Sequence, residues 1–347
     1  MVNLTRQLGI EVPILQAPMA GAQGADLALA VSAAGGLGAL PCAMLTPDTM
    51  AEALHRIRAE SSRPVNVNFF CHEPPVHDAR RLERWHRALT PYYAEFGLDI
   101  DNVPTGTGRR PFDHETCDAL EPFRPEVVSF HFGLPEPALL ERVKAWGATV
   151  LSSATTVEEA RWLEAHGADA VIAQGLEAGG HRGMFLTDDV TTQLGTFALL
   201  PQVVAAVSVP VIAAGGIADA RGVAAAFKLG AEAVQAGTAF LCCPDAAISA
   251  LHRQALQSEA ARHTALTNLY TGRPARGIVT RLMRELGPLG DVAPPFPLAT
   301  AAIAPLRSAA EAAGSSDFSP LWAGQNASTC REVAAAEVVR SLAAGVS

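Results

Sequence analysis

The chain has 347 residues, 49% hydrophobic, 18% charged and only 6% aromatic, enough for one large barrel or two ordinary domains built on small aliphatic side chains. A net charge of −9 argues against non-specific nucleic-acid binding, which needs a basic surface, but leaves room for a small anion held by local loop geometry. The six cysteines (Cys42, Cys71, Cys117, Cys242, Cys243 and Cys330) form no CxxC pair and read as reduced, mostly buried thiols of a cytosolic protein, not as a zinc site or a disulfide framework. Met1 to Ile10 reads as no signal segment. The most apolar stretch, Leu199 to Ile217, is broken by Pro201, Gln202, Pro210 and two glycines and does not read as a membrane span.

In chain order, short apolar runs predict strands at Ile14–Pro18, Leu37–Leu40, Val65–Phe70, Val127–Phe132, Thr149–Ala154, Ala170–Gly175, Val211–Gly215 and Ala233–Gly237. Helical patterns lie between most of them, at Ala25–Ala34, Pro47–Arg58, Pro137–Trp146, Thr156–His166, Phe197–Ala206 and Ala220–Leu229. Thr46-Pro47-Asp48 and Asp219 suit N-caps, and Gly147, Gly167 and Gly230 suit helix stops. Eight strand-then-helix units predict an α/β fold, a (β/α)8 TIM barrel. A doubly wound open sheet would need a nucleotide-binding turn, and Gly35-Gly36-Leu37-Gly38 lacks the GxGxxG spacing and runs into a strand instead of out of one. Two segments interrupt the repeat. Residues 71–124 are charged and turn-rich around Pro104-Thr105-Gly106-Thr107-Gly108, and read as a lid or a helical excursion. Residues 241–297 read as a smaller, mainly helical appended subdomain, so that residues 1–240 and 298–347 form the barrel, with tail helices at Thr300–Ala313 and Arg331–Leu342 placed to close it.

In such barrels the site lies at the C-terminal ends of the strands. Those ends carry Gln16 to Ala20, Asn66 and Asn68, His131-Phe132-Gly133, Ser152-Ser153, Gln174 to His181, Ala214-Gly215-Gly216 and Gln235 to Thr238. Glycine, amides and hydroxyls suit a large planar polar ligand; a metal would want clustered His, Asp or Glu, so no metal is expected. Gly215-Gly216 and Gly237-Thr238 close the seventh and eighth strands, where barrels cradle phosphate on backbone N–H groups; each alone is equally a tight turn. Asn68 and Gln174 are amides on buried strands, needing either structural partners or a heteroaromatic ligand. His181, at the tip of Gln174-Gly175-Leu176-Glu177-Ala178-Gly179-Gly180-His181-Arg182-Gly183, is the candidate catalytic residue, because glycines bring backbone close to a ligand and imidazole titrates near neutrality. His131, in Ser129 to Pro135, is the second and weaker catalytic candidate, and reads otherwise as a ring that supports the site or as packing. His55, His86 and His166 lie on helical stretches and read as surface. Arg182, Arg273 and Arg276 are free to pair with phosphate or with carboxylates.

Gln16-Ala17-Pro18-Met19-Ala20 followed by Ala34-Gly35-Gly36-Leu37-Gly38 resembles the opening of nitronate monooxygenases, formerly 2-nitropropane dioxygenases. Ser129 to Pro135, Ser152 to Thr156, Asp169 to Gly175, Glu177 to Gly183, Thr271 to Gly277 and Trp322-Ala323-Gly324-Gln325 continue the resemblance, in order, to their class I group. The resemblance implies non-covalent FMN and oxidation of alkyl nitronates, such as propionate 3-nitronate, with O2 to carbonyl compounds and nitrite, a detoxification of nitroalkanes. It implies His181 as the active-site histidine, Met19, Ala20, Asn68, Gln174, Gly179, Gly180, Gly215, Gly216, Gly237 and Thr238 along the FMN, and Gln325 close to it. Asn326 stands where the family often has glycine, and Pro295 to Ala302, expected on the substrate side, carry small residues. The expected partners are a small nitronate and O2, with no nucleic acid and no membrane, for a cytoplasmic monomer or homodimer. The alternatives are an FMN-dependent NAD(P)H reductase of enoyl-thioester or quinone type, and a non-catalytic flavin-binding barrel.

Overall fold

The computed structural model describes residues 4–76, 78–103 and 109–346; the turn-rich Pro104–Gly108 of the insertion lies outside the described residues. The strands are β1 (Ile14–Gln16), β2 (Gly38–Pro41), β3 (Val65–Phe70), β4 (Val127–His131), β5 (Thr149–Ala154), β6 (Ala170–Gln174), β7 (Gly180–His181), β8 (Val211–Ala214), β9 (Ala233–Ala236), β10 (Thr264–Thr267) and β11 (Ala275–Ile278). All but β7, β10 and β11 make one sheet in the order β1-β9-β8-β6-β5-β4-β3-β2, every neighbouring pair parallel. Its edges meet at a parallel bridge between Leu15 and Leu37. There Gln16 N–H donates to Leu37 O and Leu37 N–H to Ile14 O, both at 2.9 Å. The sheet thus closes on itself as the (β/α)8 barrel expected from the alternation of runs.

Side-chain alternation along the strands divides the apolar surface. Leu15, Val127, Leu151, Ile172 and Ile212 share one buried cluster; on β4, the neighbouring Val128 and Phe130 pack in another with Val65, Val67 and the helix residues Leu54 and Ile57. The helix ends follow the local chemistry. Thr46 and Thr49 close a reciprocal capping box, Asp219 accepts from Gly222 N–H, and Gly147, Gly167 and Gly230 hold positive φ just after their helices. The first and seventh strands end earlier than their apolar runs. Pro18 has no N–H for a ladder, and Gly215 leaves extended geometry at φ 113°.

The insertion after β3 forms helices Ala79–Glu95 and His114–Leu120. The first puts Trp85, Leu89, Tyr92 and Tyr93 into a separate core with Leu282, Met283, Ile303, Leu306 and Phe318, and Tyr93 Oη donates to Ala302 O at 2.7 Å. Helix Ala299–Ala312, read in sequence as part of the barrel wall, belongs to this second core because Ala299, Ala302, Ile303, Leu306 and Ala310 line one face and pack there. The last helix, Ala335–Ala343, does pack in the barrel layer, with Val338, Val339 and Leu342 beside Leu27 and Val31. Residues 241–297 also hold β10 and β11, which pair antiparallel with each other, while β11 pairs with β7 through Ala275–His181 and Arg276–Gly180. These short strands lack a clear apolar period and escape a pattern reading.

Gly38 shows how tightly helix and strand are joined: a Cβ there would stand 2.0 Å from Ala28 O on the facing helix. Gly38→Ala should lower stability by about 1–3 kcal/mol, the usual range for overpacking. Gly24→Ala, with nothing within 4 Å of the added carbon, should move the urea midpoint far less. Equal midpoints for the two variants would disprove the close approach.

Candidate active site

The strand ends surround a cavity at the barrel mouth. Met19, Ala20, Asn68, His131, Gln174, Gly179, Gly180, His181, Gly215, Gly216, Gly237 and Thr238 all line it. Of the residues that the resemblance places at the flavin, Gln325 alone does not, and of the other strand-end candidates Asn66 and Ser152 do not either. Gln325 is exposed, and it is the Gln325 backbone N–H that is engaged, donating to Glu177 O at 2.9 Å. Its neighbour Asn326 lines the cavity instead and donates from Nδ2 to Gly216 O at 3.1 Å, which ties the tail to the seventh-strand turn.

His181 reaches the cavity on β7, held from several sides. Gln174 Nε2 donates to His181 O at 3.0 Å, and Gly183 N–H donates to Gln174 Oε1 at 2.8 Å. The Gln174 amide is thus spent largely on the loop. His131 Nε2 lies 3.2 Å from the same His181 carbonyl, an acceptor, so the proton sits on Nε2; this ring props the loop from behind. Arg182 is fully buried and donates to Gln174 O (2.6 Å), Gly175 O (2.7 Å) and Gln193 Oε1 (2.9 Å). Arg276 Nε donates to Leu176 O at 3.0 Å, and Arg273 donates to Met184 O. The three arginines left open in sequence therefore each donate to carbonyls of the loop, and none pairs with a carboxylate among the described residues; Arg273 Nε is buried without a partner.

The His181 ring is enclosed by Phe296, Trp322, Phe132 and Phe70, with centroids 5.3, 5.7, 5.9 and 6.0 Å away. Phe132 takes its place through a left-handed backbone, φ 70°, uncommon for a bulky residue. His181 Nε2 lies 2.9 Å from Thr271 Oγ1, whose hydroxyl is 3.4 Å from Arg273 O. With that hydroxyl turned to the carbonyl, Nε2 carries the proton, leaving a lone pair on Nδ1. Burial, then the positive charge of Arg109, hold His181 well below the usual histidine range. Burial likewise pushes His131, His72 and His252 down to about 4. Sequence reading did not single out His72 or His252: His72 lies two residues past the end of β3 and His252 on the short helix Ala250–Leu256, and neither stands beside glycines. Of the stretch from Pro295 to Ala302, it is Phe296 that meets His181; Ala299 and Ala302 face the second core.

The cavity fits a flavin on this chain's own features. Gln235 lines it with a buried Oε1 that has no hydrogen-bond partner, and Asn68 spends its Nδ2 on Ser129, at 2.9 Å to Oγ, leaving Oδ1 as an acceptor. Gly215 and Gly216 both take positive φ, 113° and 73°, and among the described residues the N–H groups of Gly216 and Ile217 donate to no backbone carbonyl. Gly179 is required for close approach, since a Cβ would stand 2.5 Å from Gly324 N, and Gly324 N–H in turn donates to Thr238 Oγ1 at 2.9 Å. No cluster of three metal-ligating side chains occurs among the described residues, and no helix among them is long and apolar enough to cross a membrane.

A profile of the family described as nitronate monooxygenase matches residues 2–345. The chain belongs to the nitronate monooxygenase family. The nitronate monooxygenase of Pseudomonas aeruginosa is 43% identical over 345 residues, covering 98% of this chain and 97% of that one. The nitronate monooxygenase of Paraburkholderia phytofirmans is 40% identical over 341 residues, 96% and 92% of the two chains. Among solved structures, nitroalkane oxidase from Streptomyces ansochromogenes superposes with a TM-score of 0.89 at 39% identity, covering 99% of this chain and 97% of that one. Membership in the nitronate monooxygenase family makes the protein a flavin-dependent oxidoreductase.

The buried histidines make stability depend on pH. Their folded values lie below the unfolded value near 6.5, so the unfolded chain takes up protons that the folded protein refuses. Stability is complete above pH 6.5 and is lost as pH falls toward 4. For His72 and His252, 4% and 8% exposed, the loss between pH 7 and pH 5 is about 2 kcal/mol each. Urea midpoints at the two pH values measure it, and His252→Gln should flatten the slope. An unchanged slope would show that His252 accepts its proton in the folded state.

Proposed function

We propose that this protein is an FMN-dependent monooxygenase that oxidises alkyl nitronates with O2 to carbonyl compounds and nitrite. The observation that carries the reading is the placement of a buried imidazole, His181, at a barrel-mouth cavity that is also lined by the glycine turns Gly215-Gly216 and Gly237-Thr238. Gly215, Gly216, Gly237 and Thr238 would hold the phosphate, and Asn68, Gln235, Met19 and Ala20 the ring, with Gly179 and Gly180 passing close beside it. Bound there, FMN would supply an acceptor for the substrate's electrons and pass them to O2.

The side chains divide the remaining work. Phe70, Phe132, Phe296 and Trp322 exclude water from the reacting carbon. His181 Nδ1 takes the α-proton from a neutral nitroalkane, while Nε2–H is steadied by Thr271. His131 and Gln174 keep the His181 backbone in place and touch no reacting atom. With all six cysteines free, the reading places the protein in the cytoplasm, as a monomer or homodimer acting on small molecules.

His181→Asn should keep the flavin spectrum but lower turnover of neutral nitroalkanes by about 10²–10⁴-fold, the usual worth of a general base, and far more than turnover of preformed nitronates. Nitrite release, together with anaerobic bleaching of the flavin by a nitronate and not by NADH, checks the reading. Bleaching by NADH alone, or a colourless protein that FMN cannot reconstitute, would overturn it.

A further inference from the structure

Two arginines line the cavity, Arg109 and Arg307, and their surroundings differ. Arg307 Nε is paired with Glu311 Oε1 at 2.7 Å. Arg109, delivered by the insertion after β3, has no carboxylate partner among the described residues. Its Nη1 donates to Thr300 Oγ1 at 2.9 Å, and Nη2 reaches only Met44 Sδ at 4.0 Å. The carboxylates that line the cavity are occupied elsewhere: Glu177 accepts from Thr196 N–H at 2.7 Å and Thr196 Oγ1 at 2.8 Å, and Glu311 accepts from Arg307 and Ser319. A protein of net charge −9 therefore keeps one cavity-lining guanidinium half-buried and uncompensated, an arrangement that costs free energy unless an anion completes it.

Its position says which anion. The Arg109 guanidinium lies 5.8 Å from the Phe296 ring centroid, and the His181 imidazole meets that ring at 5.3 Å. The two groups border one aromatic ring, so a ligand whose reacting carbon lies beside His181 would have a substituent a few bonds away within reach of Arg109. Thr300 fixes one branch of the fork and leaves Nε–H and Nη2–H, which match the two oxygens of a carboxylate. Thr300 Oγ1 donates to Tyr270 O at 3.2 Å, which anchors the arrangement to the second core.

We propose that Arg109 is the specificity-determining residue that holds a carboxylate substituent of the nitronate, so that acid-bearing nitronates are preferred over plain alkyl ones. The inference rests on the nitronate-oxidising reading above. It is tested on the FMN-loaded protein with propionate 3-nitronate against butyl-1-nitronate, and with the inert pair succinate and butyrate by calorimetry. Arg109→Met should lower kcat/KM for the acid-bearing nitronate about 10- to 100-fold more than for the alkyl one, through KM, the range for a charged hydrogen bond left unmade. Succinate binding should weaken by a similar factor relative to butyrate, and Arg109→Lys should restore part of both. Arg109→Gln serves if the methionine variant does not fold. Equal losses on both nitronates with no change in the succinate-to-butyrate preference, or no loss on either, would overturn the proposal. A parent protein that releases nitrite from neither nitronate would defeat the functional reading instead, and the calorimetric pair would still decide whether Arg109 holds a carboxylate.

Discussion

Arg182 organises the site without entering it. Its fully buried guanidinium donates to two successive carbonyls where β6 ends, Gln174 and Gly175, and to the side chain of Gln193. Backbone carbonyls at the end of a strand need partners once they are buried, and here one rigid cation satisfies them while fixing the direction in which the chain leaves the barrel. Burial and the neighbouring Arg276 pull its pKa down to about 9, which still leaves it charged at neutral pH. The more distant carboxylates of Glu159 and Glu177 offset that charge. Everything the loop presents, including β7 and the imidazole of His181, depends on this anchorage.

The electrostatics of the mouth follow from the same economy of carboxylates. Glu177 is occupied by the N–H and hydroxyl of Thr196, at the start of a helix. Glu159, also fully buried, accepts from Thr155 and from the backbone N–H groups of Phe185 and Leu186. Arginines bonded to carbonyls and histidines kept neutral by burial remain around His181. Such a site resists protonation of its own rings and favours a ligand that brings negative charge. Arg273 adds to this field while its guanidinium stacks over Phe132, 4.2 Å from the ring centroid, so the strained backbone of Phe132 serves both to enclose His181 and to seat a cation.

The barrel was legible because its strands are continuous apolar runs, buried on both faces, and its helices carry local start and stop chemistry at Thr46, Asp219 and the glycines 147, 167 and 230. The candidate site was legible where backbone conformation demanded glycine, as at Gly179, Gly215 and Gly216. It was less so where long-range contacts decide. Gln174 stands at the expected strand end, but its amide serves the loop. Gln325 sits beside the cavity in sequence motif only, since the backbone, not the side chain, is what the turn uses. The helix Ala299–Ala312 has the pattern of a barrel helix, and only the presence of Trp85, Tyr92 and Tyr93 on a distant segment draws it into a second core.

Local physics written into the chain itself thus determined the strand and helix periodicity, the closure expected of eight such units, and the glycine turns that open the mouth. Tertiary structure alone decided which side chains line that mouth and in what charge state. The 71–124 insertion and the 241–322 region are remote in sequence, and only their packing brings Arg109, Phe296 and Trp322 around His181. Side-chain desolvation and pairing are properties of that three-dimensional neighbourhood, and no sequence window contains them.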